Sequence, residues 1–135
     1  MLKLIIGVKG TGKTKALINL VNTASAETKG DVVCIEKGVK LRYDVKSSVR
    51  LINTEEYFVA DTDALYGFIA GILASNHDIT DLFIDSALKI CNNHAVAFDG
   101  FVELVAKLSD KAGVNVVMTS SIPAEEASDT VKKYL

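Results

Sequence analysis

Gly7-Val8-Lys9-Gly10-Thr11-Gly12-Lys13-Thr14 is the stretch that decides the fold of this chain. It matches Gly, four residues, Gly-Lys-Ser/Thr at every fixed position, and each position has a physical reason. Gly7 and Gly12 let the backbone turn tightly and approach a polyphosphate where a Cβ would obstruct it. Successive N–H groups then point into the loop. Lys13 reaches the outer phosphates as a point charge, and the Thr14 hydroxyl is a hard oxygen of the kind Mg²⁺ takes. The candidate cofactor-binding set is therefore Gly7, Val8, Lys9, Gly10, Thr11, Gly12, Lys13, Thr14 and the adjoining Lys15.

Working outward, Leu2-Lys3-Leu4-Ile5-Ile6 reads as a strand before the loop. From Lys13 to about Ala26, apolar residues at Ala16, Leu17, Leu20, Val21 and Ala24 recur at helical spacing and define one buried face. Strand, glycine loop and helix follow in the order a phosphate site requires, and the helix N-terminus adds partial positive charge there. The segment resembles the Walker A motif of the P-loop NTPases. That resemblance implies a parallel sheet with helices on both faces, and Mg²⁺-nucleotide at the C-terminal ends of the strands. The variant loop with a second signature lysine is excluded, because that lysine lies five positions before the main one, where this chain has Val8.

Asp81-Leu82-Phe83-Ile84-Asp85 is the second informative stretch. Apolar residues ending in an aspartate resemble the Walker B motif, whose carboxylate at a strand end holds the Mg²⁺ shell. Thr14 and Asp85 are thus the candidate metal residues. Many P-loop ATPases carry a glutamate after that aspartate to orient the attacking water, whereas Ser86 stands here. A base then has to come from elsewhere, with Glu36, Glu55 and Glu56 as candidates.

Between these motifs, Thr28-Lys29-Gly30-Asp31 ends the first helix, with Gly30 suited to the C′ position. Asp31-Val32-Val33-Cys34-Ile35 reads as a buried strand. Glu36 lies just past its end, on the side where parallel sheets bind ligands, so it either polarises a water or contacts substrate, or is a solvated loop carboxylate. Val49-Arg50-Leu51-Ile52-Asn53 reads as a third strand, and the alternation over Val39–Val45 suggests an exposed edge strand beside it. Arg42 and Arg50 are the only arginines. They are surface charges on that edge or arginine fingers for phosphoryl transfer.

Asp61-Thr62-Asp63 starts a helix running to about Ser75 and burying Leu65, Phe68, Ile69, Ile72 and Leu73, with Gly67 and Gly71 spaced for close packing on the sheet. A short helical turn follows over Ala87–Asn93, with His94 at the junction. Phe98, Phe101, Val102, Val105, Leu108 and Ala112 form the core stripe of a helix over Phe98–Ala112, and Gly113 sits at its C′ position. Val114–Met118 is the last strand. Thr119-Ser120-Ser121 after it either sense the γ-phosphate, with Ser120 as the tentative ligand residue, or cap the next helix. Pro123, Glu125, Glu126, Lys132 and Lys133 suit a final helix aligned with its dipole.

The 135 residues support one domain spanning 1–135, with 49% hydrophobic and 24% charged residues, as in a folded globular protein. The expected fold is a three-layer α/β/α sandwich with a mostly parallel five-stranded sheet. A net charge of −2 argues against nonspecific nucleic-acid binding. Cys34 and Cys91 lie in apolar runs and read as buried thiols in a reducing cytosol, and a zinc centre has no Cys-x-x-Cys to build on. No apolar run approaches the ~20 residues of a bilayer span, and no leader is evident, so a soluble cytoplasmic protein is expected.

The guanine-reading Asn/Thr-Lys-x-Asp motif is absent, so ATP with Mg²⁺ is the expected ligand. The resemblance leaves three functions open: a weak or partner-dependent ATPase, a small-molecule or nucleoside kinase, and a non-hydrolysing nucleotide-responsive module. The element order and Phe83-Ile84-Asp85-Ser86-Ala87 are similar to the first half of type II thymidine kinases. Those enzymes, however, carry a zinc-bound lasso for which this chain has no cysteine pair. A homo-oligomer or a protein partner is compatible with each.

Overall fold

The computed structural model describes residues 1–135 and contains one five-stranded sheet. Its strands are β1 (Leu2–Ile6), β2 (Asp31–Glu36), β3 (Arg50–Asn53), β4 (Ile79–Ile84) and β5 (Asn115–Ser120). The helices are α1 (Lys13–Glu27), α2 (Thr62–Ser75), α3 (Ala87–Ile90), α4 (Phe98–Ala112) and α5 (Asp129–Lys132). Across the sheet the order is β1-β5-β4-β2-β3, and every neighbouring pair is parallel.

This order dictates the layers. From β1 the chain crosses to β2 in one direction, and from β3 it returns to β4 and then β5 in the other. Right-handed crossovers in opposite directions put their connections on opposite faces. Two apolar clusters match that rule. Leu17 and Val21 of α1 pack with Val32, Cys34 and Phe83 on one face. Leu65, Ile69 and Leu73 of α2 and Phe101, Val102 and Val105 of α4 pack with Val33, Ile35, Leu82 and Ile84 on the other. Neighbouring strand residues divide between the clusters with a period of two, which explains why β2 and β4 read as continuous apolar runs. No helix is long and apolar enough to cross a membrane.

Several expectations need correction. Residues 39–45 form turns, and β3 is the edge. Leu41, Val45 and Val49 are buried with α1, while Val39 and Tyr43 are exposed, so the apolar period is four and not two. Val45 N–H donates to the Leu41 carbonyl at 3.1 Å. The N–H groups of Lys40 and Leu41, which an edge strand would offer to a neighbour, instead donate to Glu36. Arg42 therefore sits on a turn, its guanidinium 5.0 Å from the Tyr43 ring centre.

Gly30 is not a left-handed helix cap. The C-cap of α1 is Thr28, and Gly30 is required by space, since a Cβ there would lie 2.3 Å from the Asp78 carbonyl oxygen. Gly67 and Gly71 are exposed, with nothing near their missing side chains, so they do not serve close packing on the sheet. On α1 the buried face is narrower than its pattern: Ala16 and Leu20 are exposed. Phe68 and Ile72 of α2 are only partly buried. His94 is exposed, and its side chain makes no capping bond.

The final helix is split. Ala124–Glu126 is a 3-10 turn and α5 begins afresh at Asp129, because Ala127 is buried in extended conformation and the Ser128 hydroxyl accepts from Val131 N–H. The end of the chain also covers the open side of β1, with Leu4 N–H donating to the Tyr134 carbonyl at 2.7 Å.

Candidate anion-binding site

The glycine loop leaves the C-terminal end of β1 and enters α1 at Lys13. Gly10 and Gly12 have φ of 85° and 87°, conformations that L side chains rarely adopt. Gly7 is also positive, and a Cβ on it would lie 2.7 Å from Thr11 Oγ1. That approach is used: Thr11 Oγ1 donates to the Val8 carbonyl at 2.7 Å, and Lys13 Nζ donates to the same oxygen at 2.9 Å. The lysine that the sequence directs at an anion thus lies across its own loop.

Asp85 follows the last residue of β4 and is buried. Its N–H donates to the Ile35 carbonyl at 2.8 Å, which ties the end of β4 to β2. Both of its carboxylate oxygens lie 3.2 Å from Thr14 Oγ1. Thr119, near the end of β5, donates its hydroxyl to Asp85 Oδ1 at 2.8 Å and accepts Ser86 N–H at 2.7 Å. Ser86 has φ 56° and ψ 53°, a left-handed conformation that costs a non-glycine residue about 1 kcal/mol. The ends of β4 and β5 are thereby joined to the first turn of α1. Ser120 is buried with Oγ 3.4 Å from Leu88 N, whereas Ser121 faces the open cleft.

That cleft, of about 470 Å³, lies between the glycine loop, the residues after β2 and the start of α3. Lys9, Gly10, Gly12, Lys13, Thr14 and Lys15 line it from the loop, with Asp85 and Ser86 at its base, and Leu88 is its one apolar residue. Ser121, from the candidate sensor stretch, also lines it, as do Lys37, Lys40, Lys89 and Asn93, which were not singled out by sequence reasoning. The available signal was position: Lys37 and Lys40 follow the C-terminal end of a parallel strand, where ligands bind. Val8 and Thr11 do not line the cleft; they brace the loop from within.

Glu36 ends β2 and is buried, with 3% of its surface exposed. It is thus not a solvated loop carboxylate. Its Oε1 accepts Lys40 N–H at 3.0 Å and Oε2 accepts Leu41 N–H at 3.1 Å. Burial pushes its carboxyl above the ordinary glutamate range; the two N–H bonds oppose this and the Asp85 charge adds to it. Glu36 lines the cleft, whereas Glu55 and Glu56 are exposed on a 3-10 turn away from it. Arg42 and Arg50 line a separate cavity of about 330 Å³, which shares Glu36.

Thr14, Asp85 and Thr119 offer hard oxygen donors at the mouth of the lysine-lined loop. One hydroxyl and one carboxylate fit Mg²⁺, which usually keeps several waters and takes few protein ligands beside phosphate oxygens.

No protein-family model matches the chain, and no curated protein matches it. Among solved structures it is similar to the KaiC-like protein PH0186 of the hyperthermophilic archaeon Pyrococcus horikoshii OT3, with a TM-score of 0.70 at 17% identity. The likeness covers 98% of this chain and 66% of that one, so the chain spans just under two thirds of its neighbour's length. At that identity the likeness speaks for the fold alone: the chain has the all-parallel α/β/α fold found in that KaiC-like protein.

Proposed function

We propose that the chain binds a nucleoside triphosphate with Mg²⁺, ATP before GTP, and that it hydrolyses the γ-phosphate slowly or in response to a partner. The observation that carries this reading is the pairing of Thr14 with Asp85, 71 positions apart, at the mouth of the glycine loop. The loop's N–H groups and Lys13 hold the outer phosphates, with Lys13 leaving the Val8 carbonyl to do so. Thr14 and Asp85 would hold the metal, which would offset negative charge on the phosphates.

Glu36 is the carboxylate of choice for orienting the attacking water, because it is the one glutamate lining the cleft. A carboxyl shifted upward accepts a proton more readily than an ordinary one, and its two N–H bonds fix its position. In the reaction the water oxygen forms the new bond to the γ-phosphorus, the bond to the bridging oxygen breaks, and Glu36 takes the water proton. Ser86 gives no such base, which fits slow turnover. Leu88 is the one apolar side chain of the lining, and the preference for ATP rests on the missing guanine motif.

Isothermal titration with Mg-ATP tests binding, and release of labelled γ-phosphate tests turnover. Heat of binding that Lys13→Ala removes is expected. No heat and no thermal shift at millimolar Mg-ATP would sink the reading.

A further inference from the structure

We infer that the cleft contains a second anion subsite, formed by Lys37, Lys40 and Lys89, which takes a phosphomonoester beside the triphosphate. This rests on the triphosphate reading above and names a second ligand for the same cleft.

Charge is the first ground. Six lysines, Lys9, Lys13, Lys15, Lys37, Lys40 and Lys89, line the cleft against two carboxylates, Glu36 and Asp85, on a chain whose net charge is −2. The two ion pairs of the structure, Met1 with Asp110 and Lys133 with Glu103, are elsewhere, so none of the six has a carboxylate partner. A Mg-triphosphate brings only about two net negative charges, which the glycine loop meets together with Lys13 once that side chain leaves the Val8 carbonyl. The remaining ammonium groups leave the cleft a positive surplus that a further anion of about two charges would offset, which is the charge of a phosphomonoester.

Construction is the second ground. Lys37 and Lys40 are carried on a segment held at three N–H groups: Gly38 by Asn53 Oδ1 at 2.8 Å, and Lys40 and Leu41 by the buried Glu36 carboxylate. Leu41, 1% exposed, anchors the same segment against α1. A loop carrying surface lysines for solubility needs no buried carboxylate beneath it, whereas one that presents them to a ligand loses less entropy on binding when fixed beforehand. Apart from Leu88, every residue lining the cleft is polar, charged or glycine.

The test uses the whole chain. A non-hydrolysable ATP analogue with Mg²⁺ is titrated first, and ribose 5-phosphate is then titrated into the saturated protein, with ribose as the uncharged control. The expected result is a second binding event for ribose 5-phosphate and none for ribose. Lys37→Ala with Lys40→Ala should weaken that event about tenfold or more while leaving the first intact, and Lys37→Arg with Lys40→Arg should largely restore it. Circular dichroism verifies that each variant is folded. Nucleotide binding without the second event overturns this inference alone. Absence of both events overturns it together with the triphosphate reading. Binding of a single-stranded oligonucleotide in place of the monoester likewise overturns it.

Discussion

Thr119 Oγ1 lies 2.8 Å from Asp85 Oδ1 and gives it a hydrogen bond, while the same hydroxyl receives the N–H of Ser86 at 2.7 Å. One side chain on β5 therefore fixes both the carboxylate at the end of β4 and the left-handed residue after it. Thr119→Val keeps the shape and removes both bonds, leaving the part-buried Ser86 N–H without a partner and the buried Asp85 carboxylate with Thr14 as its remaining hydroxyl donor. A loss of about 2–4 kcal/mol in urea denaturation is expected, with Thr119→Ser costing about 1 kcal/mol or less. The stabilisation that Mg²⁺ adds to ATP in thermal shift should shrink in Thr119→Val. An unchanged denaturation midpoint would mean that the hydroxyl does not carry the junction.

Leu41→Ala tests the loop between β2 and β3. Leu41, Val45 and Val49 are that loop's contribution to an eight-residue cluster with α1, and Leu41 is almost fully enclosed. Removing it should cost about 2–4 kcal/mol through lost transfer energy and a residual cavity. The penalty for the exposed Val39→Ala should stay within about 0.5 kcal/mol. Equal effects of the two would restore the alternating edge strand that the sequence suggested.

Those two cases mark what was legible. The limits of α2 and α4 and the left-handed Gly113 cap follow from apolar periodicity and cap residues, which act within a few positions of one another, whereas the parallel sheet was implied by likeness of motif. The nearness of Thr14 to Asp85 was inferable only by likeness of motif, since nothing local joins residues 71 apart. Residues 39–45 misled because a period of four, sampled over seven residues, has the same alternate valines and leucine as a strand. What separates the two is Glu36 capturing the N–H groups of Lys40 and Leu41, a tertiary fact. Gly30 shows the same limit: its need for space arises from Asp78, 48 positions later in the chain.

Gly30→Ala should accordingly be among the most damaging small substitutions. The nearest obstacles to a Cβ are the Asp78 carbonyl oxygen at 2.3 Å and Thr80 Cγ2 at 2.5 Å. Asp31 N–H also donates to that carbonyl at 2.8 Å, so backbone must move and a ladder bond is strained. A loss of about 2–3 kcal/mol is expected. Gly67→Ala, on an open helix surface, should instead stabilise by about 0.5–1 kcal/mol.

The two thiols report on opening of the sheet. Cys34 and Cys91 are fully buried and unpaired. Burial, aided by the Asp61 charge, pushes the Cys91 thiol up to about 11, and burial with the charges of Asp85 and Glu36 raises Cys34 further. Neither should react with a thiol reagent at about pH 8 except through unfolding. If the triphosphate reading holds, Mg-ATP at ten times its Kd should slow labelling about tenfold, because only the closed state binds it. Labelling that ignores saturating nucleotide would show opening that leaves the site intact.

Glu36 gives a pH dependence whose sign separates two forces. Burial and the Asp85 charge raise its carboxyl, while the N–H groups of Leu41 and Lys40 pull it down, and the net direction is upward. The folded state then holds this proton more firmly than the unfolded chain. Its contribution to stability is complete below the unfolded value near 4.5 and fades as pH rises through the higher folded value. Glu36→Gln cannot titrate, and its amide offers one acceptor to two N–H groups, so it is less stable throughout. Urea midpoints of wild type and Glu36→Gln, measured between about pH 4 and about pH 7, should lie furthest apart at the acid end and converge toward neutrality. A gap that instead widens with pH would mean the two N–H bonds outweigh burial, making Glu36 an anion clamped by the loop rather than a carboxyl ready to receive a proton.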